Sequence, residues 1–538
     1  MVDLRRSAVR AAACPESLAA DVAAKTFESG GGAFDGAISG AFAQAVTNPL
    51  GTGIAGMAHI MVIRPGDDEP AYLNASVETG SLATPDIFSR DFIGRSERVG
   101  RYLVREDRNQ YGYPSIMTPG FVRGMAKLHE YGPASWPWRR LVGPSAKLAT
   151  DGFEVYPYLA EYFTFEGPSR PGYPDIFKKL GPDNPARDLI LPGGRPIPAG
   201  QLLRQSDYGA TLERIAEAGA DDFYSGSLGA KIAADLSAHG ALVTTADMAG
   251  YTVRVERPSS VEFGDGLVIF SAPPPSQGVV LLTMLKLVEG MPLKSLDRTG
   301  PDYAELMAWV TRTAFAECLP FLADPRFVDV PTDWMLSASH LDQARAESRD
   351  VLAPSAMSDH TTHISACDSD GSFVSITHSI GSVTGAGVMT PGLGFFYNNF
   401  LGHFNVLAGY HDSIAPGKRM GGGCPSIVYR KGKPWMAIGS SGGPRLVSAV
   451  FQTLLDVTIR GMSLQEAVSS PRLHCEQAKK LYIEPGFPPA TRRALEERGY
   501  ELTVTSYMGC NQAVAIDGGE IQTGSDPRGG VGVATWSG

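Results

Sequence analysis

The chain has no excess of basic charge. It carries 47 Lys and Arg against 57 Asp and Glu, a formal net charge of −10. With no basic block either, it lacks the electrostatic footprint of a nucleic-acid binder. No apolar run reaches the roughly 18 residues that a membrane-crossing helix needs. At the start of the chain Asp3, Glu16 and Asp21 interrupt every apolar stretch, so no secretory signal is expected. Cys14, Cys318, Cys367, Cys424, Cys475 and Cys510 stand singly, with no C-x-x-C. That spacing speaks against a zinc cluster or a disulfide framework and for free thiols in a reducing, cytoplasmic setting. The most informative absence is local. Gly371 to Tyr410 contains no Asp, Glu, Lys or Arg. A stretch this long and uncharged, rich in Gly, Ser, Val and Phe, is expected as strands and tight turns inside the protein, with His378 and His403 its only imidazoles.

What is present changes character along the chain. Helical spacing predicts helices over Pro15–Glu28, Ala33–Val46, Pro119–Tyr131, Ala210–Ala218, Leu228–His239 and Tyr303–Phe321, with a strand at His59–Arg64. From Thr361 the pattern becomes short β runs: Thr361–Cys367, Phe373–His378, Gly394–Tyr397, Ser426–Tyr429 and Trp435–Ile438. An amphipathic helix over Pro444–Arg460 follows, and another starts near Ser463. Residues 361–538 are close to neutral, with 14 basic and 13 acidic groups, so the first 360 carry almost all the negative charge. Helices first and a β-rich last third suggest α+β layers around one shared core.

Three motifs bear on chemistry. Gly51-Thr-Gly53-Ile-Ala-Gly56 matches a dinucleotide cradle in letters, but a helix precedes it and a strand follows, the reverse of the required context, so it reads as a structural turn. His360-Thr-Thr-His363 has two imidazoles at i and i+3, which point to opposite faces of a strand, so no metal site is expected. Gly439-Ser-Ser-Gly-Gly443 sits between a predicted strand and a predicted helix. It fits a serine nucleophile elbow, yet only His474 follows it among imidazoles and few residues remain for an acid partner. The same turn can present adjacent backbone N–H groups as an oxyanion hole, the reading preferred for Gly442 and Gly443. Such a hole needs a nucleophile, and Thr361 stands where charge density and predicted structure both change. A threonine at a new N-terminus carries its own base, an α-amine with a pKa near 8. From spacing alone, Thr361-Thr362 reads far more readily as two β-branched residues that open a strand.

The motifs in order resemble those of the γ-glutamyltranspeptidase family of N-terminal-nucleophile hydrolases, over essentially the whole chain. They run from Gly31-Gly-Ala-Phe-Asp35, Asp247-Met-Ala-Gly-Tyr251 and Pro273-Pro-Pro-Ser-Gln-Gly278 through Thr361-Thr-His-Ile-Ser365, Tyr397-Asn-Asn399 and Pro416-Gly-Lys-Arg419. Gly439-Ser-Ser-Gly-Gly443 and Met462-Ser-Leu-Gln-Glu-Ala-Val468 complete them. The resemblance implies a four-layer αββα sandwich. It also implies a proenzyme that cuts itself at His360–Thr361, giving 1–360 and 361–538, two fragments of one chain that stay together as a heterodimer and can dimerise further. Thr361 is then the nucleophile, Ser379 the hydroxyl that supports it, and Gly442 and Gly443 the oxyanion hole; no cofactor is implied. Around the acyl site the chain departs from the family. Phe400 stands after Asn399 where a polar residue is usual, His403 where an acid is usual, Gly381 where Asn is usual, and Gly421-Gly422-Gly423 where a serine pair is usual. A zwitterionic glutamate head lacks its partners there, and a protonated His403 would repel its ammonium. The expectation is therefore a small-molecule amidohydrolase or acylase, similar to the cephalosporin-acylase-like and oxamate-amidohydrolase-like branches, with a recognition role for Arg419 or Arg445 left open. The alternatives are γ-glutamyl transfer or glutathione hydrolysis, and an unprocessed binding protein on the same scaffold.

Overall fold

The computed structural model describes residues 9–96, 101–164, 176–347 and 360–537. Two antiparallel sheets lie face to face. In chain order their strands are β1 (Arg10–Cys14), β2 (Met57–Ile63), β3 (Ala71–Ala75), β4 (Arg254–Glu256), β5 (Ser259–Phe263), β6 (Leu267–Ser271), β7 (His360–Asp368), β8 (Phe373–Gly381), β9 (Ser426–Arg430), β10 (Lys433–Ser441), β11 (Cys510–Asp517), β12 (Glu520–Ser525) and β13 (Gly532–Trp536). The first sheet has the order β13-β1-β7-β8-β2-β3-β4 and the second β12-β11-β10-β9-β6-β5. Residues before and after position 360 therefore contribute strands to both sheets. β7 lies between β1 and β8, so the strand that opens with Thr361 is internal to its sheet.

Alternation along the strands builds three cores. Ala58, Ile60, Val62, Ile364, Ala366, Val374 and Ile376 face outward from the first sheet and pack under α1 (Ser17–Glu28), α2 (Ala33–Thr47), α3 (Phe121–Tyr131) and α4 (Trp138–Asp151). Met61, Ile63, Tyr72, Cys367 and Phe373 face inward against Phe270, Ile427, Tyr429, Ala437 and Val514 of the second sheet. On the far side Ile269, Val428, Met436, Ile438 and Ala513 pack under α5 (Gly278–Val288), α6 (Pro301–Cys318) and α7 (Arg445–Thr458). The result is the four-layer αββα sandwich. Every residue of α2 is buried. It can lie flat on the sheet because its face is small: a Cβ on Gly40 would stand 2.5 Å from Ile364 Cδ1, and one on Gly36 2.1 Å from the Phe27 ring. Among the described residues no helix is long and apolar enough to cross a membrane, and all six cysteines are buried and outside any disulfide.

The elements agree with the sequence reading in most places, to within a few residues at their ends. Two differ. Gly394–Tyr397, expected as a strand, makes only a single bridge, Tyr397 to Ala55. Positive φ at Gly392 and Gly394 turns the chain there, and the Tyr397 N–H goes to the Val388 carbonyl rather than to a strand ladder. β10 runs three residues further than expected, to Ser441, so the turn that follows is only Gly442 and Gly443. Of the proposed boundary at 360/361, residues 348–359 lie outside the described residues, as do residues 1–8.

Candidate active site

The inward face of the first sheet is apolar at one end and polar at the other. In the register of β7, β8 and β2, the polar rows are Ser365–Ser375–Met61 and then His363–Thr377–His59. Beyond them lie Ser379 and Met57, paired across β8 and β2, with Thr361 at the edge. Thr361 is 4% exposed and sits at a bulge: His360 pairs with Gly381 and Thr362 with His378, so one residue of β7 stands opposite two of β8. Such a bulge re-aims a side chain at the end of a ladder. Thr362 points back to the helix layer, where it bonds Glu16, so by alternation Thr361 faces the second sheet.

His363 is the spacer between the sheets. Ser365 and Ser375 donate to the carbonyls of Gln512 and Ile438 across the gap, each at 3.0 Å. Their oxygens are thus left to accept from His363 Nε2–H, at 3.0 and 3.3 Å. Its Nδ1 then accepts the Thr377 hydroxyl proton at 2.8 Å. Burial pushes the pKa of His363 down to about 3, so the ring is neutral and its tautomer fixed. Opposite it, only glycine fits at 439, where a Cβ would stand 2.1 Å from the imidazole Cε1. Moving along β10 from Gly439 to Ser441 corresponds to moving along β7 from His363 to Thr361, which brings the Gly442-Gly443 turn to the Thr361 end of the interface. Both glycines have positive φ, 125° and 62°. Among the described residues no acceptor takes the N–H of either.

Ser379 Oγ accepts the Gly381 N–H at 2.9 Å. Gly381 has φ 105°, and a Cβ there would meet Asn399 Oδ1 at 2.1 Å, which explains the departure from Asn. Asn399 holds this turn. It donates to Gln110 O and Ser382 Oγ and accepts from Ser382 N–H. The Gly51–Gly56 motif butts against the same place: a Cβ on Gly56 would stand 2.2 Å from the Ser379 carbonyl oxygen.

The segment 419–423 is laid across the strands toward Thr361. Ser76 donates to Met420 O. A Cβ on Gly422 would lie 2.9 Å from Met57 Cε and 3.9 Å from His59 Nε2, and one on Gly423 3.0 Å from Thr377 Cγ2. Met57 belongs to a buried apolar cluster with Val77, Met117, Phe400, Leu401 and Phe404. His403 packs edge-on to Phe400. Burial and the nearby Arg101 guanidinium hold its imidazole well below the ordinary range, so His403 is neutral and the expected charge repulsion by it does not occur. Arg419 does not serve an anion either. Its Nε pairs with Glu78 at 3.0 Å, its two Nη atoms donate to the carbonyls of Asn74 and Thr252, and its backbone N–H donates to Asp324. It ties the segment to the sheet edge. Arg445 lies over the Tyr482 ring at the start of α7.

The serine-elbow alternative finds no catalytic partners. Ser441 is buried in β10 and bonds Tyr507 Oη at 3.2 Å, while His474 Nδ1 bonds Ser448 Oγ. The sequence reading missed three buried residues beside the site. His59 has its Nδ1 bound by Tyr72 and Ser276, and its Nε2 without a hydrogen-bond partner. Glu16 and Gln44 lie behind Thr362. A single Gln inside an otherwise small, apolar helix was the one available signal for Gln44.

Residues 19–536 match the family model described as Gamma-glutamyltranspeptidase. The chain is 32% identical over 497 residues to the Acylase ACY 1 proenzyme of Pseudomonas sp. (strain SE83), covering 90% of this chain and 86% of the relative. It is 28% identical over 540 residues to the Glutathione hydrolase proenzyme of Escherichia coli (strain K12), covering 95% and 89%. The crystal structure of cephalosporin acylase from Bacillus halodurans superposes with a TM-score of 0.86 at 26% identity, covering 99% of this chain and 97% of the other.

Proposed function

Because the chain belongs to the gamma-glutamyltranspeptidase family of amide hydrolases and acyltransferases, we propose that it is a self-processing N-terminal-threonine amidohydrolase whose acyl site takes a neutral acyl group rather than γ-glutamyl. One observation carries the reading: Thr361, on a bulge at the start of an internal strand, shares its end of the sheet interface with two unspent N–H groups of Gly442 and Gly443. In the precursor, Thr361 Oγ attacks the His360 carbonyl carbon, the peptide C–N bond breaks as the ester C–O bond forms, and the hydroxyl proton passes to nitrogen. Water then hydrolyses the ester, its hydroxyl going to the His360 carbonyl carbon, and frees the Thr361 hydroxyl beside the amine already released by the shift. In turnover the same oxygen attacks the substrate amide, the α-amine takes its proton and returns it to the leaving amine, and water resolves the acyl-enzyme. The N–H groups of Gly442 and Gly443 face the developing oxyanion. Ser379, oriented by the Gly381 N–H, donates to the nucleophile. No step calls on a cofactor.

The neutral, apolar lining supports the substrate preference. An entering α-ammonium meets Met57, Val77, Phe400 and a neutral His403, and among the described residues of this lining it loses hydration with no carboxylate opposite. A penalty of at least about 3 kcal/mol follows, which is more than about a hundredfold in kcat/KM. With Arg419 committed to Glu78, that guanidinium is not offered to a carboxylate at the acyl end. That two relatives carry the word proenzyme in their names is in keeping with processing. The interleaving of strands from both sides of position 360 would hold the fragments together as a heterodimer. Six buried cysteines outside any disulfide suit a cytoplasmic location.

The test is a gel, N-terminal sequencing and one substrate pair. The small fragment should begin at Thr361, and butyryl anilide should exceed the γ-glutamyl anilide in kcat/KM. A γ-glutamyl preference of about tenfold, some 1.4 kcal/mol, would make the protein a γ-glutamyl enzyme instead. A chain that stays intact and inert would make it a binding protein.

A further inference from the structure

On the helix side of β7, directly behind the nucleophile, a closed set of polar side chains lies in apolar surroundings. Glu16 is fully buried. Its Oε1 accepts from Asn48 Nδ2 at 2.8 Å and from the Thr362 hydroxyl at 2.9 Å, and its Oε2 from Gln44 Nε2 at 2.6 Å. Gln44 Nε2 also reaches Thr362 Oγ1 and His363 O. With its NH₂ on the carboxylate, Gln44 turns Oε1 to His378 Nε2 at 3.0 Å, so His378 donates there and accepts the Thr52 hydroxyl proton at Nδ1. Every group on Glu16 is a donor, the shell of an ionised carboxylate. Yet no cation pairs with it among the described residues. The titratable groups around it are the Cys14 thiol of β1, the Cys510 thiol of β11 and the Tyr156 phenol. None of these can become positive, and His378, reached through Gln44, is kept neutral by burial. Burial outweighs the three donors and leaves the Glu16 pKa raised, as for a carboxylate with no cation opposite it. In the intact chain this is an ion pair with one partner missing.

Thr362 follows the nucleophile. We propose that Glu16 is the counter-charge for the α-ammonium that cleavage before Thr361 creates and, through Thr362, the positioning residue for that amine. The inference rests on the self-processing reading above. Before cleavage the Thr361 nitrogen is a neutral amide. Cleavage consumes one water, whose hydroxyl goes to the His360 carbonyl carbon, and the nitrogen becomes a primary amine able to hold an extra proton. A new cation then appears one residue from a buried carboxylate that lacks one, in a part of the molecule where Gly371 to Tyr410 supplies no other acid. The neighbouring negative charge favours the protonated amine, so the free base that catalysis needs forms at a higher pH than it otherwise would. At an effective dielectric of about 20, a charge one residue away moves such an amine by on the order of one pH unit.

The experiment compares the processed wild type with Glu16→Gln, once sequencing has shown that each small fragment begins at Thr361. The acid limb of kcat/KM for a neutral acyl anilide reports the amine. So does the pH dependence of Thr361 α-amine acetylation by acetic anhydride, read by mass on the N-terminal peptide and independent of any substrate. Both should move down by about one pH unit in Glu16→Gln. A lower rate with both curves unmoved means that Glu16 only supports the fold, and overturns the proposal. Should Glu16→Gln fail to fold, Glu16→Asp sets the charge further back and should move the curves down by a smaller amount; unmoved curves again overturn it. A fragment with another N-terminus, or an uncleaved chain, overturns the processing reading first and this inference with it. Unmoved curves on a fragment that begins at Thr361 overturn this inference alone.

Discussion

Gly439→Ala tests the sheet interface where it supports the nucleophile. Gly439 lies in a regular strand without positive φ, so alanine brings no backbone strain and the whole effect is the added methyl. That methyl would stand 2.1, 2.5 and 2.7 Å from three atoms of the His363 ring. The ring cannot swing aside without giving up Thr377 at Nδ1 or Ser365 and Ser375 at Nε2. Overpacking a close-fitted interior costs about 1–3 kcal/mol, and a hydrogen bond lost with its partner left buried costs about 1–3 more. The expected destabilisation is therefore about 2–6 kcal/mol, to be read as a lower urea midpoint at unchanged slope. The damage should also reach chemistry, because His363 is two residues from Thr361 and sets the gap across which the Gly442-Gly443 turn meets it. A misplacement of about 1 Å costs about a hundredfold, so self-cleavage followed on a gel should slow at least tenfold, about 1.4 kcal/mol. A variant within about 0.5 kcal/mol of wild type that cleaves at the wild-type rate would refute the role given to His363.

Gly422→Ser should be tolerated: its φ is not positive, the nearest atom is the mobile end of Met57, and the new hydroxyl comes within reach of the unpartnered His59 Nε2. Stability should stay within about 1 kcal/mol of wild type by denaturant titration, while activity on the neutral anilide falls as the apolar wall is broken. Ser441→Ala should retain most activity, and a fluorophosphonate should leave Ser441 unlabelled; stoichiometric labelling there would reinstate the serine-hydrolase reading. His59, His363 and His378 are each pushed by burial down to about 3. The unfolded chain takes up a proton at each below about pH 6.5 while the folded one does not, so stability is full above that pH and lost as it falls toward about pH 3. Between about pH 7.5 and 5.5 the three together should cost about 4 kcal/mol, seen as a falling urea midpoint, and a flat profile would mean that these rings are not buried neutral.

How much of this was legible in the sequence depends on the range of the interaction. Thr361, Gly442 and Gly443 stood out as candidates from local signals, a change in charge density and period at 361 and a Gly-Gly turn between strand and helix, whereas Ser379 came only from the ordered motifs shared with a family. The layered fold was readable for the same reason, since alternation along β7, β8 and β10 is a property of consecutive residues. Gly394–Tyr397 misled because an apolar run with flanking glycines looks alike whether its amides go to a neighbouring strand or to turns.

Partners were another matter. Nothing local to Glu16 says that Thr362, separated from it by 346 positions, will donate a hydrogen bond to it. Nothing in Pro416-Gly-Lys-Arg419 says that the guanidinium will close on Glu78 instead of facing substrate. Met57 covers Gly422, and His403 is stripped of charge, only because register brings β2, β8 and the segment after Arg419 into one corner away from water. The sequence by itself determined the chemistry available, a threonine, a hydroxyl and two glycines at one end of a sandwich. Tertiary structure decided which charges face the site and which are spent elsewhere, because a buried group's charge and hydrogen bonds are set by the atoms that replace its water, and those come from distant parts of the chain.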